Sequence, residues 1–249
     1  MRNLCGISMK IYIGWDWRED DAWHACAHSL RVHSGVPLDI EPISSKHPLM
    51  NRAFYYKGNQ KHDVVDERPF STEFSFARFL VPVLEGYKGW AMFVDCDFLF
   101  RRDVGELFKL RDDTKAVMVV QQDHVPREPT KMMGAAQSSY RRKNWSSLVL
   151  WNCAHRAHRL MGQFRGIDAE KVNTAHGGWL HGFDWLKMED IGNLPSEWNW
   201  LEGYSSPEAD PAAVHYTRGG PWLDQYKDAA YAEEWRAAHL RSLGVDTEK

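Results

Sequence analysis

The sequence predicts an α/β fold in which helices flank a mostly parallel sheet. Short hydrophobic, β-branched runs of strand length alternate along the chain with stretches of helical periodicity. The 249 residues are 43% hydrophobic and 13% aromatic, which is enough for a sizeable core. No internal repeat or domain-separating linker interrupts this alternation. Residues 1–249 are therefore expected to form a single domain, with a C-terminal segment that folds back on the sheet.

The first half of the chain predicts three strands and two helices. The segments "MKIYIGW", "VPLDIEPIS" and "WAMFVDCD" have the composition of strands. A helix is expected over "AWHACAHSLRVHSG", where helical spacing ends at a glycine, and residues 46–72 are expected to form an irregular polar loop. The segment "STEFSFARFLVPVL" predicts a second helix, with Ser71 or Thr72 as its N-cap.

The second half continues the alternation and then loosens. The segments "KAVMVVQQ" and "SSLVLWNC" are typical of buried strands. A glycine-rich and tryptophan-rich stretch, "TAHGGWLHGFDWL", follows them, and "LDQYKDAAYAEEWRAAHLRSL" predicts an amphipathic terminal helix.

Charge and cysteine content exclude several classes of protein. The 31 basic and 34 acidic residues are mixed along the chain and leave a net charge of -3, so no nucleic-acid surface is indicated. The four cysteines form no CxxC pair, which is typical of reduced thiols and predicts a cytoplasmic protein. No apolar segment has the length of a signal peptide or a membrane span, so no integral membrane segment is expected and peripheral membrane contact stays open.

Two carboxylates, Asp95 and Asp97, stand at the end of the strand "WAMFVDCD". Ligands of open α/β sheets bind outside the carboxyl ends of the strands. An Asp-x-Asp at that place suits Mg²⁺ or Mn²⁺, which keep open positions for phosphate oxygens. The alternative is that these aspartates cap the next helix, "DVGELF", and the motif alone does not decide between the two interpretations.

The later segment "HYTRGGPW" adds groups that suit a metal and a diphosphate. His215 offers a nitrogen ligand that Mn²⁺ accepts. Arg218 and the backbone amides of Gly219 and Gly220 are of the kind that holds phosphate oxygens. The alternative for His215 is a structural histidine at a strand end.

Taken in order, these segments resemble the metal-dependent GT-A glycosyltransferases, especially the retaining family 8 that includes glycogenin and bacterial lipopolysaccharide galactosyltransferases. The resemblance rests on "IYIGWD", "SFARFLVPVLEGYKGWAMFVDCDFLF", "NWSSLVLWNC", "NLPSEWNW" and "HYTRGGPW". It implies a GT-A (Rossmann-like) fold. It also implies a hexosyltransferase that moves a sugar from a nucleotide-diphosphate donor, by this similarity a UDP-sugar, to a saccharide or glycolipid acceptor.

The resemblance also implies roles for individual residues. Asp95, Asp97 and His215 would bind Mn²⁺ or Mg²⁺, which bridges the two phosphates of the donor. Asp16 matches the carboxylate that contacts the uracil edge, and Arg78 matches the arginine near the donor sugar and phosphates. Such fixed cations stabilise the charge that a leaving UDP gains in the transition state. The alternatives are that Asp16 caps the following helix and that Arg78 pairs with a surface acid.

The chain departs from the family in three places. The lysine before Pro-Trp is absent, so Arg218 is expected to replace it. Trp145-Ser146-Ser147 stands where the family has Asn-Ser-Gly. The Asp-Gln pair expected before "EWNW" is also absent, which leaves His176, His181 and Asp184 as the polar candidates there.

The predicted catalytic residues are Arg78, His181 and Asp184. An equal alternative is that their loop binds the acceptor sugar by stacking. Retention of configuration is therefore implied by the family and is not secured by these residues.

Two other functions remain open at the level of sequence. One is a sugar-1-phosphate nucleotidyltransferase, which also places aspartates on an α/β sheet. Against it, "DWRED" stands where a glycine-rich basic loop would hold a triphosphate. The other is a non-catalytic carbohydrate or nucleotide-sugar binding relative that keeps the cleft but lacks the Asp-Gln pair.

Overall fold

The computed structural model describes residues 8–128, 130, 134, 141–159, 166–207 and 209–245. Its strands are β1 (Met9–Gly14), β2 (Leu38–Ile43), β3 (Phe54–Lys57), β4 (Gln60–Asp63), β5 (Pro69–Phe70), β6 (Trp90–Val94), β7 (Phe98–Phe100), β8 (Val117–Val119), β9 (Leu148–Asn152), β10 (Ile191–Asn193), β11 (Trp200–Leu201) and β12 (Ala213–His215). Its α-helices are α1 (Asp20–His33), α2 (Val81–Leu84), α3 (Val104–Lys109), α4 (Ala169–Thr174), α5 (Gly177–His181) and α6 (Ala232–Ser242).

The described strands build a central sheet in the order β10-β8-β9-β6-β1-β2. Parallel pairing joins β1 to β2 and to β6, and joins β8 to β10, which confirms the mostly parallel α/β sheet. The exception is β9, which runs antiparallel to both β6 and β8. Because of this reversal, the turn that precedes β9 lies at the carboxyl end of β6, where the Asp95 amide donates a 2.8 Å hydrogen bond to the Ser147 carbonyl.

The central strands are buried along almost their whole length. Strand β9 is buried at every position, and β6 is buried from Ala91 to Val94. Strands covered on both faces have continuous hydrophobic runs instead of alternation, which is why these segments were recognisable in the sequence. None of the helices in the described part of the chain is both long and apolar enough to cross a bilayer.

The expectation of an irregular loop over residues 46–72 was wrong, because this region holds the antiparallel sheet β3-β4-β5. All four residues of β3 are exposed, so the strand has no buried face to give an alternating pattern. A buried ion pair supports the small sheet instead. Arg52 Nε lies 2.9 Å from Asp63 Oδ1, and the Arg52 guanidinium stacks 4.0 Å from the centre of the Phe76 ring.

The expected helix over residues 71–84 is shorter than predicted. Residues 73–76 form a turn, Ala77–Leu80 form a 3₁₀ helix, and only α2 is α-helical. The segment is capped from a distance, because the Glu73 amide donates to Asp16 Oδ2 at 3.0 Å. Neither predicted N-cap is therefore needed to satisfy that amide.

The C-terminal segment folds back on the sheet as predicted. Strand β12 pairs antiparallel with β7 and parallel with β11, and it sets His215 opposite Phe98. The buried Trp235 of α6 packs with a second apolar cluster that includes Ala25 of α1 and Leu99 of β7. These contacts join β12 and α6 to β7, the strand that follows β6.

Substitution of Arg52 by alanine tests the contribution of the buried pair. The Arg52 and Asp63 side chains are 3% and 1% exposed, and Arg52 Nη1 also donates to the Val172 carbonyl at 3.0 Å. Arg52→Ala leaves a buried carboxylate without its partner, so we expect the free energy of unfolding to fall by about 3–5 kcal/mol in urea titrations. The exposed Arg111 provides a matched control, and Arg111→Ala should cost less than about 0.5 kcal/mol. Equal unfolding midpoints for the two variants would contradict the assignment.

Candidate functional site

Three side chains from two distant parts of the chain meet at the carboxyl end of β6. Asp95 follows β6, Asp97 precedes β7, and His215 is the last residue of β12. One possible ligand atom from each of the three lies within 4.8 Å of the others, and His215 Nε2 is 3.4 Å from Asp97 Oδ2. Asp103, and not Asp95 or Asp97, caps α3 by accepting from the Gly105 amide at 2.7 Å. The helix-capping alternative for the Asp-x-Asp motif is therefore wrong.

The chemistry of this cluster fits a divalent cation. Two carboxylates and one imidazole are ligands that Mn²⁺ accepts, and carboxylates also suit Mg²⁺. The three side chains are mostly buried, so a cation bound there would lie in a partly desolvated environment. Three protein ligands leave further coordination positions open to water or to phosphate oxygens.

Asn199 orients the imidazole of His215. Its Oδ1 lies 2.8 Å from His215 Nδ1, and its Nδ2 donates to Ser147 Oγ at 3.0 Å and to the Asn144 carbonyl at 3.2 Å. The Asn144 carbonyl can only accept a hydrogen bond, so the group that contacts it must be the Asn199 NH₂. The Asn199 side-chain oxygen therefore faces the His215 ring. His215 Nδ1 therefore carries a proton, and Nε2 is the ring nitrogen that faces the carboxylates and could bind a cation.

No sequence pattern indicated this role for Asn199. The segment "NLPSEWNW" stood out only as a supporting part of the resemblance, and Asn199 is distant from His215 along the chain. Asn199 is 1% exposed, so its amide groups must be satisfied inside the protein.

Arg78 lies against the same cluster. Its Nη1 is 2.9 Å from Asp95 Oδ1 and donates to the Ser146 carbonyl at 2.8 Å. The guanidinium carbon lies 5.4 and 5.0 Å from the ring centres of Phe74 and Phe93. The acid paired with Arg78 is thus a residue of the cluster and not a surface group, and the rings hold the guanidinium in place.

Asp16 is occupied by donors of the protein. Its side chain is 0% exposed. Oδ1 accepts from the Arg18 amide and Nε at 3.0 and 2.9 Å, while Oδ2 accepts from Arg18 Nη2 at 2.6 Å and from the Glu73 amide at 3.0 Å. A carboxylate accepts about four hydrogen bonds. The geometry therefore favours the capping interpretation, and contact with a uracil edge stays a prediction.

Arg218 and the following glycines are also engaged. Arg218 Nη2 lies 2.7 Å from Glu202 Oε2, and Nη1 lies 3.5 Å from Glu128 Oε1. The Gly219 amide closes its own turn by donating to the Tyr216 carbonyl at 2.8 Å. A Cβ on Gly220 would stand 2.0 Å from the Trp222 ring, so close packing explains that glycine. Arg218 and the Gly219 amide thus have partners within the protein, and their contacts to a diphosphate stay a prediction.

His181 and Asp184 take different directions after α5. His181 Nδ1 is 3.1 Å from Ser146 Oγ, and burial, with Arg78 nearby, lowers its pKa well below the usual value. Asp184 is exposed, and its Oδ1 lies 3.8 and 4.0 Å from guanidinium nitrogens of Arg141 and Arg142. A neutral imidazole therefore stands near Arg78, whereas the Asp184 carboxylate faces a basic turn.

His176 immediately precedes α5 and holds its first turn. The His176 carbonyl accepts from the Trp179 and Leu180 amides at 3.0 and 3.1 Å. These two hydrogen bonds give the His176 backbone a structural role at the start of α5. They do not involve its imidazole ring.

Solved glycosyltransferases share this fold. The apo structure of the bifunctional glycosyltransferase WbbM matches with a TM-score of 0.62 and 15% identity over 100% of this chain and 53% of WbbM, so the chain spans about half the length of WbbM. The galactosyltransferase LgtC, solved with donor and acceptor sugar analogues, gives a TM-score of 0.54 and 14% identity over 97% of this chain and 98% of LgtC. GlyE from Streptococcus pneumoniae gives 0.53 and 14% over 94% of this chain and 61% of GlyE. The expected GT-A fold is confirmed, and membership of family 8 stays a prediction.

A plant protein shares much more sequence with this chain. Protein CDI from Arabidopsis thaliana is 46% identical over 231 residues, which cover 91% of this chain and 84% of CDI. No family model matches the sequence. The chain therefore has the GT-A fold and belongs to the family of Protein CDI.

Proposed function

We propose that the protein is an Mn²⁺-dependent glycosyltransferase that moves a hexose from a UDP-linked donor to a saccharide or glycolipid acceptor. The observation that carries this proposal is the cluster of Asp95, Asp97 and His215 with Arg78 against it, at the carboxyl end of β6 in a GT-A fold. A divalent cation with open coordination positions binds diphosphates. The likeness in fold to LgtC, which was solved with donor and acceptor sugar analogues, supports the same substrate classes here.

Different residues would bind the cation and stabilise the charge of the donor phosphates. A bound cation supplies positive charge against the diphosphate. Asp95, Asp97 and His215 would hold it, and Asn199 keeps the His215 imidazole in the tautomer that can bind metal. Arg78 adds a second positive charge, fixed by Ser146, where a leaving diphosphate becomes more negative.

Sugar transfer itself breaks the bond from the anomeric carbon to the donor phosphate oxygen and forms a bond from that carbon to an acceptor hydroxyl oxygen. We propose that the hydroxyl proton passes to the leaving phosphate on the same face of the sugar, which retains configuration. The burial of His181 and the outward direction of Asp184 support this course. Same-face transfer needs neither His181 nor Asp184 as a nucleophile. In this scheme the two residues position other groups and are not catalytic residues.

A non-catalytic nucleotide-sugar binding protein is the second candidate, and the direction of Asp184 favours it. Asp184 is the acid that follows α5, and its carboxylate pairs with Arg141 and Arg142. A binding protein would keep the cation cluster and the cleft while dispensing with a carboxylate beside the anomeric carbon.

We also propose that the chain forms one domain and works in the cytoplasm. The central sheet and the smaller sheet β11-β12-β7 are joined directly through Asp95 to Asp97, which supports a single unit. Cys26, Cys96 and Cys153 are free and buried, as in proteins of reducing compartments.

Asp97→Ala tests the proposed cation site. Wild-type protein should bind UDP-glucose or UDP-galactose by calorimetry only when Mn²⁺ is present and should release UDP slowly, and the variant should do neither. Asp228→Ala, which removes an exposed acid, should behave like the wild type.

The same experiment separates the functions. Folded wild type that binds no UDP-sugar with Mn²⁺ would contradict the proposal. Binding without hydrolysis or transfer would favour the second candidate, and consumption of UTP with a sugar phosphate would indicate a nucleotidyltransferase.

Asn199→Ala tests the orientation of His215. Loss of a group that orients a metal-binding histidine lowers metal affinity by about 10–100-fold. We therefore expect the dissociation constant for Mn²⁺ to rise by about 10–100-fold. Electron paramagnetic resonance of the free ion measures this constant. The exposed Asn51 gives the control variant Asn51→Ala. Unchanged Mn²⁺ affinity in a folded Asn199→Ala protein would show that the hydrogen bond does not govern the site.

Arg78→Met separates the charge of Arg78 from cation binding. We expect kcat for donor hydrolysis to fall by about 100-fold or more, as when one fixed donor to a developing anion is lost. Mn²⁺ affinity should hold or increase, because Asp95 loses a competing positive charge. Arg78→Lys keeps the charge and should retain more activity than Arg78→Met. A rise in KM with unchanged kcat would show that Arg78 binds the ground state and the transition state equally and does not stabilise the leaving group selectively.

A further inference from the structure

A cavity with a volume of about 720 Å³ opens between the loop after β8 and the turn before β9. Cavities of this size hold small-molecule ligands. His124 lines one wall, and Arg141, Arg142, Lys143 and Trp145 line the other. The Trp145 indole donates to the Gln122 carbonyl at 3.0 Å, so the two walls are joined.

The cavity lies beside the cation cluster. Trp145 begins the 3₁₀ turn whose last residue, Ser147, accepts from the Asp95 amide and from Asn199 Nδ2. On the other wall, His124 is close enough to His215 for a charge on the His215 ring to lower the pKa of His124. A molecule in the cavity would therefore reach the place where the donor sugar is expected.

The walls of the cavity carry an excess of positive charge. Arg141, Arg142 and Lys143 contribute three cations, whereas Asp123 and the nearby Asp184 contribute two carboxylates. Asp184 is exposed to solvent, which screens its effect. A lining that is mostly basic favours an anionic ligand over a neutral one.

Arg142 is held in place more firmly than a surface arginine. Its side chain is 5% exposed, it donates to the Gly182 carbonyl, and its guanidinium stacks 5.3 Å from the centre of the Trp145 ring. Burial, and then the charge of Arg141, lower its pKa. The Arg142 backbone is left-handed, with φ of 59°, and so is that of Asn144, with φ of 65°. Such strain in residues other than glycine concentrates at functional sites.

His124 is an independent sign of a ligand. It is 9% exposed, and its Nε2 has no hydrogen-bond partner within the described part of the chain. Burial, followed by Lys143 and His215, lowers its pKa to about 4, so the ring is neutral at pH 7. Buried polar atoms are nearly always satisfied, and a ligand hydroxyl would satisfy this one.

We infer that this cavity binds the acceptor, and that it selects an acceptor carrying an oxyanion, either a phosphate or a carboxylate. The basic turn of Arg141, Arg142 and Lys143 binds the oxyanion, and His124 binds a hydroxyl. The inference rests on the proposed function, because only a transferase needs an acceptor. Neutral saccharides lose the charge-assisted contacts and bind more weakly.

The test compares three probes on wild-type protein that carries Mn²⁺ and UDP. These are glucose, glucose 6-phosphate and glucuronate, and their affinities are measured by calorimetry. We expect at least one anionic sugar to bind about 10-fold more tightly than glucose, which corresponds to about 1.4 kcal/mol. Added salt should reduce this preference. The anionic sugar that binds more tightly identifies phosphate or carboxylate as the recognised group.

Variants locate the preference in the cavity. The double variant Arg141→Ala with Lys143→Gln should lose it while Mn²⁺ and UDP bind as in the wild type. Asp184→Asn removes a competing carboxylate and should strengthen binding of the anionic sugar. Arg111→Ala removes an exposed arginine at the end of α3 and should keep the preference.

Three results would overturn the inference. They are equal affinity for all three sugars, a preference that survives in the folded double variant, and a parallel loss of UDP binding, which would assign the cavity to the donor. A preference for anionic sugars in a protein that never binds UDP-sugars would overturn the acceptor assignment through failure of the proposed function, with the cavity still an anion site.

Discussion

The cluster of Asp95, Asp97 and His215 depends on the hydrogen bonds of one short turn, Trp145–Ser147. Its Ser147 carbonyl accepts from the Asp95 amide, and its Ser147 hydroxyl accepts from Asn199. Its Ser146 carbonyl accepts from Arg78, and its Ser146 hydroxyl contacts His181. The turn can reach these residues because β9 runs against β6 and must start where β6 ends. The direction of one strand thus fixes the surroundings of the whole site.

The electrostatics of the site follow from that placement. Two carboxylates at close range repel each other, and partial burial raises the cost of their charges. Arg78 brings one positive charge to these two negative ones, and the hydrogen bond from His215 Nδ1 to Asn199 leaves Nε2 as the ring nitrogen that faces the carboxylates. The charge balance therefore leaves a divalent cation favourable. Asp16 shows the contrasting case, since Arg18 and a backbone amide already satisfy its carboxylate.

The sequence predicted what local patterns encode. Buried strands such as β6 and β9 are continuous hydrophobic runs, and Asp95 and Asp97 stand visibly at the end of one of them. The segment "HYTRGGPW" indicated His215 as a possible nitrogen ligand, and the resemblance to a known family grouped it with the two aspartates. The small sheet β3-β4-β5 was missed because the residues of β3 are exposed and show no period. Asn199 and the acids around Arg218 were missed because their partners lie far away in the chain.

The position of His215 in β12 has a consequence for how the protein is made. The strand that carries it belongs to the smaller sheet and pairs with β7, so His215 is synthesised well after the two aspartates that it joins. Until then, the two aspartates stand without the imidazole that completes the set. A cation bound to all three would join the C-terminal segment to the central sheet, and by mass action it would favour the folded chain over its unfolded states. The same ion would then serve the proposed chemistry and hold the C-terminal segment on the central sheet.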